Sequence, residues 1–320
     1  MSNRSRSLLL RVSAPLVAAS ILCSCAGRKA AWEGAPQPSA SGEAGGSAAV
    51  RKCYDPAGTL DEATAKQVAD LVAQGDAAWA ERTSPDAIRK AIAAWEEAAK
   101  IETGNVDLLV KLTRAHYFLA DGYLRADAKA YLATMDKGVS WGECAIAAAS
   151  PAFAKKLEAG AKLHEAVTVV PKEGVPAMYW YASALGKWAK KKGFAVLLGQ
   201  KDNVKATMDR CLALDPEYYY AGPYRYFGAY YAVAPSFAGG DLNKSREFFE
   251  KSLALEPRYL GTKVLWAQEL AVKLQDEDEF DRLLGEVLAA PDDIIPELVP
   301  ETLVEKQKAK ELMAQKDELF

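Results

Sequence analysis

Gly138-Val139-Ser140-Trp141-Gly142 has the G-x-S-x-G spacing that, in a hydrolase, lifts a nucleophilic serine on a sharp turn between a strand and a helix. Here Ala128 to Lys137 read as helix, and the one later histidine, His164, follows only 24 residues after Ser140 with no strand between. Ser140 is therefore expected in a helix interior or a turn, with no acyl-transfer role. The two histidines, His116 and His164, fall on separate helical stretches and have no cysteine or carboxylate set at metal-ligand spacing. The acidic run Asp276 to Glu279 lacks the glycine and alternating ligands of a calcium loop, and reads as the charged first turn of a helix. Outside the N-terminal segment, Cys53, Cys144 and Cys211 are odd in number and far apart. At least one is unpaired, and no disulfide framework is legible. Neither a phosphate loop nor a dinucleotide fingerprint nor a Cys-x-x-Cys pair occurs, so no metal or cofactor is implied and an enzyme has no nucleophile and base to rest on.

The aromatic residues are more informative. Between Tyr218 and Tyr231, Tyr220, Tyr224, Phe227 and Tyr231 fall on one helical face and Tyr219, Tyr226 and Tyr230 on another. One stripe suffices for a core; the second either lines a groove, cavity or subunit contact, or is itself packed core with its hydroxyls bonded to backbone. A further group, Tyr179, Trp180, Tyr181 and Trp188, precedes it. Arg225 stands among the tyrosines, where a guanidinium stacks on rings and pairs with acids. It faces either a ligand, a buried carboxylate or a structural salt-bridge partner.

The elements that must position these residues are helices. Beyond Leu60 the chain is dominated by Ala, Leu, Lys and Glu in helical periods, with no alternating strand pattern. One offset pattern occurs three times: Ala91, Trp95, Ala98, Thr103; Val204, Met208, Cys211, Pro216; and Ser245, Phe249, Ser252, Pro257. Small residues flanking a large one on a single face let a neighbouring helix approach closely. This is the second-helix pattern of a tetratricopeptide-like repeat. A first helix with Tyr224, Phe227, Gly228 and Tyr231 precedes the third copy, and Asp241 is its N-cap. The expected architecture is all-α, a helix-pair solenoid over residues 59–320. Helices are expected near Val106 to Leu124, Ala128 to Ala149, Pro151 to Leu163 and Pro176 to Lys190, with a pair at Tyr259 to Leu274 and Glu277 to Leu288. A helix from Pro300 onward is expected to cap the stack.

The N-terminal segment carries Arg4, Arg6 and Arg11 and the apolar run Val12 to Leu22, the layout of an export signal over residues 1–24. That run is far short of the roughly 20 residues a spanning helix needs. Leu22-Cys23-Ser24-Cys25 resembles a lipobox, with Cys25 as the acylated residue and Ala26 after it favouring transfer to the outer membrane. Stable anchoring then comes from acyl chains rather than a membrane-spanning helix. Residues 25–58, rich in Ala, Gly, Ser and Pro, read as a flexible tether. The formal charge is −3 and becomes −6 once residues 1–24 are removed, which does not suit nucleic acid.

Tyr219 to Tyr231, Pro235, Gly239-Gly240-Asp241, the helix Ser245 to Leu255, Pro257, and later Asp276 and Phe280 resemble the T component of TRAP transporters, the TatT family. The resemblance runs from about Leu60 to the end and includes Gly75-Asp76 and Trp79; its most specific stretch is Gly222 to Pro257. Tyr224 departs from it, standing where histidine is expected in many relatives. The resemblance implies a periplasmic lipoprotein of cryptic repeats, a homotrimer with a pore through each protomer, and association with the solute-binding P component. The implied cargo is hydrophobic, in the range of organic acids or lipids.

Two readings follow. In the first the protein is a lipid-anchored transport accessory whose channel is lined by Trp180, Tyr219, Tyr224, Arg225 and Tyr231 and passes a partly apolar solute onward without chemistry. In the second it is a tetratricopeptide-like scaffold for envelope or outer-membrane assembly, gripping a partner's peptide along the same wall. A closed channel favours the first and an open groove the second.

Overall fold

The computed structural model describes residue 30 and residues 52–320. The signal segment 1–24, the lipobox at Cys25 and nearly all of the tether lie outside the described residues. Among those described, every regular element is helical, and no helix is long and apolar enough to cross a membrane.

The helices begin where the sequence supplies acceptors for their first amides. Asp61 caps α1 (Glu62–Ala80), Asn105 caps α3 (Val106–Tyr123) and Asp127 caps α4 (Ala128–Ala149), each accepting from a backbone N–H of the first turn. Asp241 does the same for α10 (Leu242–Leu255), as expected, and Asp276, at the head of the acidic run read as a first turn, caps α13 (Glu277–Ala289). Proline opens α2 (Pro85–Ile101), α5 (Pro151–Glu158) and α7 (Val175–Lys192), where its missing N–H costs nothing. A short α6 (Leu163–Ala166) leads towards α7, and Gly193 separates α7 from α8 (Phe194–Leu214).

Consecutive helices pack as pairs: α1 on α2, α3 on α4, α7 on α8, and α9 (Tyr218–Val233) on α10. Short connections make each pair antiparallel. The repeated small-large-small residues explain the close approach. Ala91, Trp95 and Ala98 on α2, Val204, Met208 and Cys211 on α8, and Ser245, Phe249 and Ser252 on α10 are all buried. On the facing helix, a Cβ at Gly228 would lie 2.6 Å from the Phe249 ring, so only glycine admits that ring. The next unit is α11 (Leu260–Trp266), a π-helical stretch (Ala267–Ala271) and α12 (Val272–Leu274), against α13. Three buried clusters run along the stack, with α4, α7 and α8 at the centre of the largest.

The last long helix, α14 (Val299–Ala314), behaves differently from the expected terminal cap. It packs on α11 and α13 and also reaches back to the first half of the chain. Val304 joins the cluster of Phe118 and Leu119, Glu301 pairs with Arg82 and Arg114, and Glu311 pairs with Arg125. A final short helix, α15 (Lys316–Leu319), ends the chain. α14 thus bridges the late and early helices and covers the interior between them.

The state of the three cysteines, open on sequence, is a bond between Cys53 and Cys144 across 91 residues, with Cys211 the free, buried thiol among the described cysteines. Residues 52–58, read from composition as tether, lie against the body. Tyr54 is buried, Lys52 pairs with Glu158, and Ala57 donates to the Thr103 carbonyl at 2.9 Å.

Candidate functional site

The helix bearing the aromatic run is not regular throughout. Tyr219, Tyr220 and Ala221 have φ of 47°, 58° and 55° and form one left-handed turn, and the right-handed helix starts only at Gly222-Pro223. For residues with a Cβ this conformation costs about 1–2 kcal/mol each, so neighbouring groups must hold it. Arg225 reaches back from the next turn, donating to the carbonyls of Tyr220 at 2.9 Å and Tyr219 at 3.2 Å. The Ser252 hydroxyl donates to the carbonyl of Ala221 at 3.2 Å. At Gly222 a Cβ would sit 2.6 Å from the Tyr179 ring, so glycine there lets the turn press against α7.

The left-handed turn breaks the expected stripe register. Tyr219 turns away from Tyr226 and Tyr230 and packs edge-on against Trp180, with ring centroids 4.6 Å apart, beside Tyr179 and Tyr259. Arg114 lies among the rings of Trp79, Trp180 and Tyr219 at 5.1–5.4 Å and donates to Glu301 at 2.8 Å. Burial pushes the Tyr219 phenol up to about 12. Arg114, Tyr179, Trp180, Tyr219, Tyr259 and Glu301, with Tyr117, Gln268 and Lys308, line a small cavity of about 90 Å³ beneath α14.

A larger cavity of about 560 Å³ adjoins it. The two share a wall made of Tyr117, Asp121, Tyr179, Lys187, Arg225, Leu265, Gln268 and Lys308. Two of these, Leu265 and Gln268, come from the segment that passes into the π-helical stretch, a distortion that re-aims side chains relative to a regular helix. The larger cavity has an apolar side formed by Tyr226, Tyr230, Val233, Leu197 and Leu198, and seven cationic side chains against three carboxylates.

Those charges are unevenly satisfied. Asp121 is buried between Lys187 at 2.9 Å and Lys308 at 2.6 Å, and Lys308 also meets Glu305 at 2.8 Å. Burial alone would raise the Asp121 carboxyl, but the two ammonium groups outweigh it and hold it below the usual carboxylate range. Arg225, only 6% exposed, has no carboxylate partner among the described residues. It donates to the Tyr179 hydroxyl at 2.9 Å and lies over the Tyr259 ring at 4.1 Å, and remains a positive charge at the joint of the two cavities.

Of the residues expected to line a channel, Trp180 and Tyr219 border the small cavity and Arg225 borders both. Tyr224 and Tyr231 border neither. Both pack around Phe248, with centroids 5.9 and 5.4 Å away, because the helix turns that face toward α10. Tyr226 and Tyr230 from the second stripe stack on one another and line the large cavity. Tyr117, Lys187, Gln268 and Lys308 were not singled out from sequence. Their polar positions look like ordinary solvated helix faces until α14, which carries Lys308, is laid across the others. The Gly222-Pro223 pair was the available signal for the late helix start.

The remaining candidates for chemistry occupy structural positions. Ser140 lies inside α4 and donates to the Asp136 carbonyl at 3.1 Å. His116 is buried with Nε2 3.4 Å from Glu96, and His164 Nδ1 is 3.3 Å from Asn203. Among the described residues no group of three or more His, Cys, Asp or Glu could hold a metal ion.

No curated protein matches the chain. A family model described as TRAP transporter T-component matches residues 120–320, which takes in α4 to α15, the left-handed turn and all of the large-cavity lining except Tyr117. With an all-α body of that extent, the chain belongs to the T-component family of TRAP transporters.

Proposed function

We propose that this T component accepts an amphiphilic organic anion in its interior and hands it to a solute-binding P component in the periplasm, without chemistry. The observation that carries this reading is Arg225, a buried guanidinium with no carboxylate opposite it among the described residues, placed where the larger cavity, apolar on one side, meets a smaller aromatic one. A ligand carboxylate supplies the missing counter-charge through charge-assisted hydrogen bonds, and the Tyr226, Tyr230 and Leu197 side receives its apolar part. Gln268 and Tyr117 stand at the same joint as neutral polar groups able to orient the headgroup. α14 lies across the interior and lends Lys308, Glu311 and Leu312 to the wall of the large cavity, and this covered wall favours solute transfer over the scaffold reading. Anchoring through acylated Cys25, residence at the outer membrane and a homotrimeric assembly complete the reading.

The test is calorimetry or native mass spectrometry with a series of medium-chain carboxylates and the matching neutral amides. Binding of acids and not amides, weakened at least about tenfold by Arg225→Met and changed by Gln268→Leu in a folded protein, supports the proposal. Equal binding of acids and amides sinks it. Loss of palmitate labelling in Cys25→Ser, and sedimentation of the unmodified chain as a trimer, test the anchor and the assembly.

A further inference from the structure

The α7–α8 corner combines two features that ordinary surfaces keep apart. From Val175 to Lys201 the chain contains no acidic residue but carries Lys187, Lys190, Lys191, Lys192 and Lys201. After the three consecutive lysines and Gly193 comes Phe194-Ala195-Val196-Leu197-Leu198, the first turns of α8. Phe194 and Leu198, four residues apart on one helix face, are 58% and 40% exposed. Lys190 pairs with Glu269, while Lys191 and Lys192 lie over the rings of Tyr131 and Trp188 with no carboxylate partner among the described residues.

Phe194, Leu198 and Lys191 also line the large cavity, so this corner is part of its rim. Pro235 and Ala238 line another part, and the 3-10 turn that contains Ala238 exposes Phe237 to 78%. Exposed phenylalanines thus stand at two segments of the mouth, with uncompensated lysines beside one of them.

We propose that this rim is a docking surface for an anionic lipid bilayer, with the mouth of the large cavity turned toward the headgroups. Charge complementarity selects the occupant. Lysines are depleted from the cores of protein–protein contacts, whereas lysine beside exposed phenylalanine and leucine is the composition that binds anionic membrane surfaces. Phe194, Leu198 and Phe237 enter the headgroup and acyl boundary while Lys191 and Lys192 meet lipid phosphates. If the interior accepts an amphiphile, as proposed above, this placement lets it move from bilayer to cavity without crossing water. The docking itself does not depend on that reading.

The test uses the chain from Ala26 onward, which keeps every described helix and lacks the acylated cysteine, so that only the body reports. Co-sedimentation is measured with vesicles of phosphatidylglycerol and phosphatidylethanolamine at about 3:1 and with pure phosphatidylcholine. Expected is binding to the anionic vesicles alone, weakened at least about tenfold by F194S/L198S and by K191E/K192E, and suppressed by about 0.5 M salt. All substituted side chains lie on the surface, and circular dichroism checks that the variants stay folded. No binding to anionic vesicles, or binding unchanged in both variants, overturns the proposal. So does a self-association in sedimentation velocity that F194S/L198S abolishes while vesicle binding is absent, which would make the rim an interface between copies. Carboxylate binding that persists in these variants leaves the solute reading standing by itself.

Discussion

Glu301 accepts from Arg82 at 2.9 Å across 219 residues of chain, and both side chains are buried. That ion pair fastens α14 to the loop between the first two helices, and the other Glu301 oxygen receives Arg114 from the wall of the small cavity. A single carboxylate therefore holds the closing helix against two early elements.

Glu301→Gln is expected to destabilise the protein by about 3–5 kcal/mol, since it leaves two guanidinium groups facing a neutral amide in a largely dry site. Urea unfolding gives the difference. The double variant Arg82→Met/Glu301→Leu should recover part of it, and a cost under 1 kcal/mol for Glu301→Gln would show that α14 is held mainly by apolar packing.

Arg225→Lys is expected to cost about 2–3 kcal/mol although the charge is kept, because a single ammonium cannot serve the Tyr219 and Tyr220 carbonyls and the Tyr179 hydroxyl in the fork geometry of a guanidinium. Thermal unfolding measures this. Near-ultraviolet circular dichroism should change as well, since the left-handed turn fixes the rings of Tyr219 and Tyr220. An unaltered aromatic spectrum would mean that the turn stands without its clamp.

Asp121 sets an acid limit. Burial opposes its ionisation, but Lys187 and Lys308 hold its folded-state carboxyl below the usual range. The stability it contributes is therefore complete above the unfolded value of about 3.9 and is withdrawn as the pH falls below it. Asp121→Asn should flatten the acid limb of a stability–pH curve below about pH 4 and cost about 2–4 kcal/mol at neutral pH. Parallel acid limbs for the two proteins would assign the acid sensitivity to other carboxylates.

Cys53→Ser is expected to lower stability by about 2–4 kcal/mol, because the bond closes a long loop that the unfolded chain otherwise samples freely. Limited proteolysis should then cleave first before Leu60 while α1 onward stays protected. Unchanged protection of residues 52–58 would show that Tyr54 and Lys52 hold this segment without the bond.

Local chemistry made much of the fold legible. Asp241 and the acidic run beginning at Asp276 announce helix starts through side-chain acceptors that need only nearby amides. The spacing of Ala91, Trp95 and Ala98 reports a close helix neighbour. Contacts set by distant chain closure were not legible. Glu301, Lys308 and Glu311 have the look of a solvated helix face, and only their meeting with Arg82, Asp121 and Arg125 gives them a role. Cys53 sits in a stretch whose composition reads as flexible, so nothing local marks its partner. Tyr224 and Tyr231 were assigned to the channel, but the face they share meets Phe248 on α10; Tyr219, read as one stripe with Tyr226 and Tyr230, leaves that stripe because the left-handed turn at Tyr219 to Ala221 breaks the helical phase before Gly222-Pro223.

The Cys53–Cys144 bond also decides where the molecule bears load. A pull on the chain preceding residue 52 would otherwise strip residues 52–61 from the surface one contact at a time and then unwind α1, since peeling breaks weak contacts in series. With the bond in place the force enters α4, in the middle of the body, where neighbouring helices resist it together in shear. The body can therefore be tugged or held at arm's length from that end without α1 becoming its first point of mechanical failure.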